Sequence, residues 1–475
     1  MNRLLGLFSL VFAAALSLIF VRYNGFWIDE LYTLHTIRLP FGEMVMERFK
    51  RGHFPLYFAL VRVWYSLFDP LNFEVVLRAF SLLGFALATA SFFLLARRGP
   101  SPVATWIAIT LFVLNGLVMR QAVEARMYTW ALLIAVWITR AYMELRAGNT
   151  RWGYLLCALT AIGIGFSPSL FMLIIGLGAE AIITKRIQSI KWLIAAAICG
   201  LLILLPGAYL HVSTADRLGV ASSKPLEFLT YPFMLAFGPQ IADDYFNTTL
   251  WHYAALTASI VLCAALIFII RKYRTRIPVE AKPFLKIAAA PLLLCVAIWP
   301  IAELFSISNF GPPRYYISLL PAAALAIACI VAHLPRAPLW HVALLVVAGF
   351  SAIVSLTTRT EAFRDAIQYI ANNRAPNEAI IVVPHEIEDG VELYLDGTET
   401  HLVIDRWRRD EPLMGEQLQA LSNHPRVWLV WYRGSKSPVY DLATQLWGTP
   451  ISNRPDKPRG DLRVFAFTPP VTPSN

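Results

Sequence analysis

Asp29 and Glu30 stand together in the run WIDELYT, residues 27–33, a few positions past an apolar stretch from about Leu4 to Val21. Carboxylates close to hydrocarbon are costly unless they are paired, hydrated or put to use. One carboxylate can take a proton from an attacking hydroxyl, while a second raises the first one's pKa, orients it or helps hold a divalent cation. Adjacent residues point in different directions, so the two need not share one job. The structural alternative is that the pair caps the N-terminus of a helix over residues 31–37.

Arginines at the ends of apolar runs supply the complementary charge. Arg120 and Arg126 bracket a short connection expected on the outer face, and Arg314 opens a later apolar run within Gly311-Pro312-Pro313-Arg314-Tyr315-Tyr316. Guanidinium stays charged at such a depth and offers a planar fork of donors, which suits phosphate. Interfacial snorkelling is the alternative for each. His53, in Gly52-His53-Phe54-Pro55-Leu56-Tyr57, either meets a ligand or metal or anchors the turn before a helix that begins near Pro55. Tyr57, Tyr128, Tyr315 and Tyr316 either stack on sugar or line a lipid groove, though aromatics are expected at any membrane interface.

What must position these groups is a bundle of membrane helices. Hydrophobic residues make up 57% of the 475, charged residues only 15%, and the mean hydropathy is +0.55, which excludes an ordinary soluble core. Apolar runs long enough to cross about 30 Å of hydrocarbon recur about eleven times. They lie near 4–21, 75–96, 102–119, 127–145, 152–167, 168–184, 191–210, 251–270, 286–305, 315–333 and 340–357. The first is expected to be a retained anchor; a cleaved signal peptide is the alternative. Ser167-Pro168-Ser169 is either a tight turn between two spans or a break in one.

With the N-terminus inside, the short cytoplasmic connections collect Arg97, Arg98, Arg146, Arg151, Lys185, Arg186, Lys191 and the basic run near 271–276, so the net charge of +10 is mostly a topology signal. No nucleic-acid module gives it another meaning. All five cysteines fall inside apolar runs and imply neither a disulfide nor a cysteine-based metal site.

Three stretches are then left on the outer side: residues 22–74, residues 211–250 and everything after about 358. In the first, residues 41–50 and 55–67 have helical spacing with an aromatic face. The second carries Asp243-Asp244 and is either a cover over a membrane-facing cavity or a plain solvated loop. From residue 358 the pattern becomes soluble α/β. Helices are expected near 361–373, 387–395, 413–421 and 439–447, and strands at 379–383, 401–404, 427–432 and 462–467, forming a small parallel or mixed sheet. After the first strand comes Pro384-His385-Glu386 and no Gly-rich phosphate loop, so a nucleotide site is not expected there. The fold class is an α-helical polytopic membrane protein with a C-terminal soluble α/β domain, divided at residues 1–357 and 358–475.

A carboxylate pair and several arginines on the outer face of such a protein point to transfer of a group from a lipid phosphate to a hydroxyl. These residues resemble those of the GT-C glycosyltransferases, in the protein O-mannosyltransferase, aminoarabinose transferase and RgtA/B/C/D-like group of family 39 or nearby. The resemblance covers about residues 1–357. It rests on Asp29-Glu30, on His53-Phe54-Pro55-Leu56, where members commonly have His-Pro-Pro-Leu and Phe54 departs, on the segment Glu124 to Tyr128 and on Arg314-Tyr315-Tyr316.

What the resemblance implies is an inverting transferase that takes a sugar from a polyprenyl-phosphate donor to a hydroxyl on a glycan, lipid or protein. Asp29 would be the general base, Glu30 its partner, and Arg126, Arg314 and, more weakly, Arg120 the grip on the phosphate. His53, Tyr57, Tyr128 and Tyr315 would contact substrate. No nucleotide or other cofactor is required, and a divalent cation is compatible. The implied setting is a bacterial inner membrane, with the active site and C-terminal domain periplasmic. A lipid or glycan transporter is the competing class, but the paired repeats expected of one are not evident.

Overall fold

The computed structural model describes residues 1–23, 25–51, 53–68, 72–214, 230, 233–238, 248–273, 275, 278–279, 281–304, 313–357, 363–395, 402–404, 411–432, 438–455 and 462–470. Residues 243–244 and most of the expected outer cover lie outside the described residues, as do Gly311 and Pro312. The chain divides into two compact units, one built on residues 1–21, 40–241 and 246–358, the other on 22–39, 242–245 and 359–475.

The first unit is a helical membrane bundle. Six described helices are long and apolar enough to cross a membrane: Asn2–Phe20, Phe73–Ala96, Ile187–Leu210, Tyr253–Lys272, Arg314–Ala332 and Ala337–Thr357. A seventh arises if Pro102–Val113 and Gly116–Ala122, bent by 56° at Asn115, are one span. A helix underlies every one of the expected apolar runs, but among the described residues fewer than the eleven expected from sequence are both long and apolar enough to cross alone. Tyr128–Arg146 carries Arg140, Glu144 and Arg146. Trp152–Phe166 and Leu170–Ile183 have only 15 and 14 residues, or about 21–22 Å each at the α-helical rise. Ser167-Pro168-Ser169 separates these last two as distinct helices, the first packing chiefly on the Ile187–Thr214 helix and the second chiefly on the Ala281–Leu304 helix.

Helix starts follow from local chemistry. Asn72 and Ser101 cap Phe73–Ala96 and Pro102–Val113 by accepting from the Val75 and Ala104 amides at 3.1 and 3.2 Å. Asn115 restarts the bent pair by accepting from the Leu117 and Val118 amides at 3.0 and 3.3 Å, and the freed Gly116 amide donates to the Phe237 carbonyl at 2.8 Å. Broken backbone is tolerated at membrane depth only when buried and resatisfied in this way. Gly116 is required there, because a Cβ would lie 2.4 Å from Ser355 Oγ and 2.6 Å from the Gly238 carbonyl.

Polar contacts tie the bundle together. Thr110 Oγ1 lies 2.8 Å from Ser9 Oγ and 2.9 Å from His341 Nε2, and His341 Nδ1 lies 3.0 Å from Asn2 Oδ1, which links three helices. Glu180, fully buried, accepts from the Tyr142 hydroxyl and sits 3.4 Å from Arg146 Nε, while Arg186 Nη1 donates to the Arg146 carbonyl at 2.7 Å.

The second unit holds a five-stranded mixed sheet in the order β2-β1-β3-β5-β4, with β1 Ala379–Val383, β2 Leu402–Val403, β3 Val427–Tyr432, β4 Ser452–Pro455 and β5 Leu462–Phe467. β1 runs parallel to β2 and β3, whereas β5 is antiparallel to β3 and β4. Every residue of β1 is buried, and Ile381, Leu429 and Phe465 meet Met414, Leu418 and Trp447 in the core. β4 escaped the sequence reading because Ser-Asn-Arg-Pro has no apolar alternation; it is an edge strand paired through its backbone, where proline is tolerated. The same unit contains the Ile28–Arg38 helix, which carries the acidic pair.

Replacing Glu180 by Ala strands Arg146 and the Tyr142 hydroxyl. The variant is expected to lose roughly 3–5 kcal/mol, seen as a lower unfolding temperature in detergent, and an unchanged temperature would refute the pairing.

Candidate functional site

Asp29 and Glu30 occupy the first turn of the Ile28–Arg38 helix. Glu30 is 0% exposed and its Oε2 accepts from the Trp27 amide at 3.3 Å, so this carboxylate closes the helix start. Asp29 is half-buried, and its backbone carbonyl accepts from Thr33 Oγ1 at 3.1 Å. The capping alternative therefore describes what the Glu30 carboxylate does. Within its own unit Leu31 and Leu34 of this helix are buried, and a Cβ on Gly390 would come within 2.4 Å of Leu31 Cδ2.

A second set of contacts braces this helix and was missed in the sequence. His35 Nδ1 lies 2.5 Å from Asp389 Oδ2, and Arg38 Nη1 donates to Asp389 Oδ1 at 2.8 Å. Since an ionised carboxylate only accepts, the Nδ1 nitrogen carries the proton. The His385 ring stands edge-on to His35 with centroids 6.1 Å apart, and the Phe26 amide donates to the Tyr394 hydroxyl at 3.1 Å. Burial by itself would raise the Asp389 carboxyl, but the hydrogen bonds and charges of His35 and Arg38 outweigh it and hold the group below the ordinary aspartate value. No sequence spacing announces a contact between residues 354 positions apart.

In the bundle several of the other expected site residues meet in local sets of contacts. Tyr128 and Tyr315 have ring centroids 6.4 Å apart, and the Arg314 guanidinium carbon lies 6.0 Å from each ring. The Pro313–Leu319 3-10 helix brings Arg314 and Tyr315 to this position. Arg126 is 3% exposed; its amide donates to Ser81 Oγ at 3.3 Å and its carbonyl accepts from the same hydroxyl at 3.1 Å, which fixes the backbone just before Tyr128. Beside Ser81, Phe80 stacks on Trp130 with centroids 4.7 Å apart and lies 6.0 Å from the Tyr57 ring. Tyr57 is buried, edge-on to Phe58 at 5.3 Å.

Two expected residues are placed differently. Arg120 pairs with Glu124, which also accepts from Gln121 Nε2 at 3.1 Å, and its Nη1 donates to the Ser355 carbonyl at 3.1 Å. That guanidinium binds the broken segment to the Ala337–Thr357 helix. His53 is half-buried, and its amide donates to the Arg48 carbonyl at 2.8 Å, the geometry of a turn anchor. Arg48, 2% exposed and 5.0 Å above the Phe58 ring, and Arg78, whose Nη1 donates to the Val21 carbonyl at 2.9 Å, are further buried cations that the sequence reading did not select. The available signal was a charge inside an apolar run, most clearly Arg78 four residues after Glu74. Among the described residues no group of three or more His, Cys, Asp or Glu is arranged to hold a metal ion.

Asp389→Asn is expected to cost roughly 1.5–3 kcal/mol of local stability, read as faster amide exchange confined to the Ile28–Arg38 helix. Because the folded Asp389 pKa is depressed, the brace is complete above the ordinary value of about 3.9 and is lost as pH falls through the lower folded value. Protection of this helix in the native protein, taken relative to the intrinsic exchange rate at each pH, should therefore fall on acidification, and pH-independent protection would show that Asp389 does not hold it.

No family model and no curated protein sequence matches the chain. Among solved structures, the chain is similar to ArnT from Cupriavidus metallidurans in the apo state, at 14% identity and a TM-score of 0.58 over 97% of each chain. It is equally similar to ArnT from the same organism bound to undecaprenyl phosphate, at 13% identity and a TM-score of 0.58, again over 97% of each chain. At this identity the likeness is one of fold, and it extends through the C-terminal unit that the sequence resemblance did not reach. This membrane protein has the fold of ArnT along nearly its whole length.

Proposed function

We propose that this protein is an integral-membrane glycosyltransferase that moves a sugar from a polyprenyl-phosphate donor to a hydroxyl acceptor on the periplasmic side of a bacterial inner membrane. The observation that carries this is the likeness over 97% of both chains to ArnT, including the structure with undecaprenyl phosphate bound. An acidic pair on a braced helix, the buried Arg126 and an Arg314 set over the Tyr128 ring support it with the chemistry it needs. All eleven apolar helices cross the membrane in this proposal, the bilayer thinning locally around the shorter ones.

In the proposed reaction the acceptor oxygen forms a bond to the anomeric carbon as the bond from that carbon to the phosphate oxygen breaks, with inversion. Asp29 receives the hydroxyl proton. The phosphate leaves with the bonding electron pair, and Arg126 and Arg314 stabilise the charge that builds on it. Glu30 acts indirectly, by fixing the helix start that orients Asp29. Tyr57, Tyr128 and Tyr315 bound the sugar and lipid, His53 shapes the turn that leads to Tyr57, and Arg120 holds the segment that carries Arg126. The donor sugar is hexosyl or pentosyl, and the acceptor is a glycan, lipid or protein. No nucleotide is required in this proposal, and a divalent cation beside the acidic pair is compatible with it; loss of turnover in a chelator that a divalent cation restores would place an ion there, and full turnover in the chelator would exclude one.

Transfer is tested with purified protein in lipid and a polyprenyl-phosphate sugar. Asp29→Asn is expected to lower turnover by about 100-fold or more while donor binding and the unfolding temperature stay unchanged, and full activity would remove Asp29 as the base. Arg126→Ala and Arg314→Ala are expected to weaken donor binding or slow the chemical step, with an effect larger than Lys191→Ala. Movement of the intact lipid-linked sugar across the bilayer with no glycosylated product would make the protein a transporter instead.

A further inference from the structure

A cavity of about 280 Å³ lies where the Phe73–Ala96 helix ends, walled by Ser91, Leu94, Arg98, Trp137, Arg140 and Trp152. Its two sides differ in chemistry. Leu94 and Trp137 are 54% and 36% exposed on the outside of an apolar bundle, so they face hydrocarbon. Arg98 and Arg140 form the other side, and both guanidinium groups converge on Glu144 Oε1, Arg140 Nη2 at 2.9 Å. Arg140 also lies 5.6 Å above the Trp152 ring, and the Trp137 indole donates to Ser91 Oγ at 3.1 Å.

One carboxylate shared by two guanidinium groups leaves one positive charge in excess. That excess is set at a helix end, beside two tryptophans, which favour the headgroup level. The charge distribution of the sequence puts this end on the cytoplasmic side, and the proposed chemistry does not involve it.

We propose that this cavity binds an anionic membrane phospholipid. Its phosphate lies between Arg98 and Arg140, which supply paired N–H donors, and an acyl chain runs along Leu94 and the face of Trp137. A singly charged phosphodiester balances the site. Glu144 is already engaged by both arginines, so a zwitterionic headgroup finds no carboxylate for its cation, and the site prefers phosphatidylglycerol to phosphatidylcholine.

The test is native mass spectrometry of the delipidated full-length protein, titrated with phosphatidylglycerol, phosphatidylcholine or inorganic phosphate. The wild type is expected to retain phosphatidylglycerol about tenfold better than phosphatidylcholine. The double variant R98Q/R140Q should bring the two to parity, while Lys191→Gln, which removes the same kind of charge from an exposed position, should leave the preference intact. Ser91→Phe fills the cavity and keeps both arginines; it should abolish retention without altering the arginine pair, and it decides the matter if the double variant does not fold. Equal retention of the two lipids by the wild type, an unaltered preference in the arginine or cavity-filling variants, or displacement of the lipid by inorganic phosphate would each overturn the proposal. None of these readouts requires sugar transfer, so they stand or fall separately from the proposed function.

Discussion

A charge cannot be left alone away from water, and that single constraint shapes most of what is distinctive in this chain. Glu180 is accepted into the bundle with Tyr142 and Arg146 around it. Arg120 and Glu124 neutralise each other inside a segment where every residue from Gly116 to Tyr128 is buried. Asp389 holds His35 and Arg38. At the end of the Phe73–Ala96 helix, Glu144 is shared between two arginines. These pairs fix the positions of the helices, because moving any element by one turn would leave an ion in hydrocarbon or protein without its counter-charge.

The same constraint separates the roles of neighbouring side chains. Glu30 is fully buried and uses its carboxylate on a backbone amide, whereas adjacent Asp29 is only half-buried. Arg120 binds Glu124 and a main-chain carbonyl, whereas the Arg314 guanidinium lies over two tyrosine rings. Residue type alone treats each of these pairs as equivalent. Burial and partners distinguish them.

The grouping of residues 22–39 with residues 359–475 also follows from packing and not from chain order. The Ile28–Arg38 helix is nearly uniform in its apolar distribution, so it has no strong face to declare a partner. What selects its place within the unit is a handful of specific contacts: Leu31 against Gly390, the two cations on Asp389 and the Phe26 amide on the Tyr394 hydroxyl. A small soluble domain at the end of the chain thus braces the helix that carries the acidic pair.

The amino-acid sequence by itself determined the elements whose signal is local. Runs of apolar residues marked the bundle helices, Pro55 and residues 41–50 marked the short helices among them, and short apolar stretches between amphipathic ones marked β1, β2, β3 and β5, since periodicity and helix caps depend on a few neighbouring residues. It also marked Asp29, Arg126, Arg314 and the tyrosines as chemically capable. Only the tertiary structure decided how those capabilities are distributed: Glu30 as a cap, Arg120 as an internal tie, Arg314 between Tyr128 and Tyr315, Asp389 as a brace, and β4 as a strand. Each of those outcomes depends on contacts between residues remote in sequence, and burial energies are set by what surrounds a group in space, a quantity that no local pattern of residues encodes.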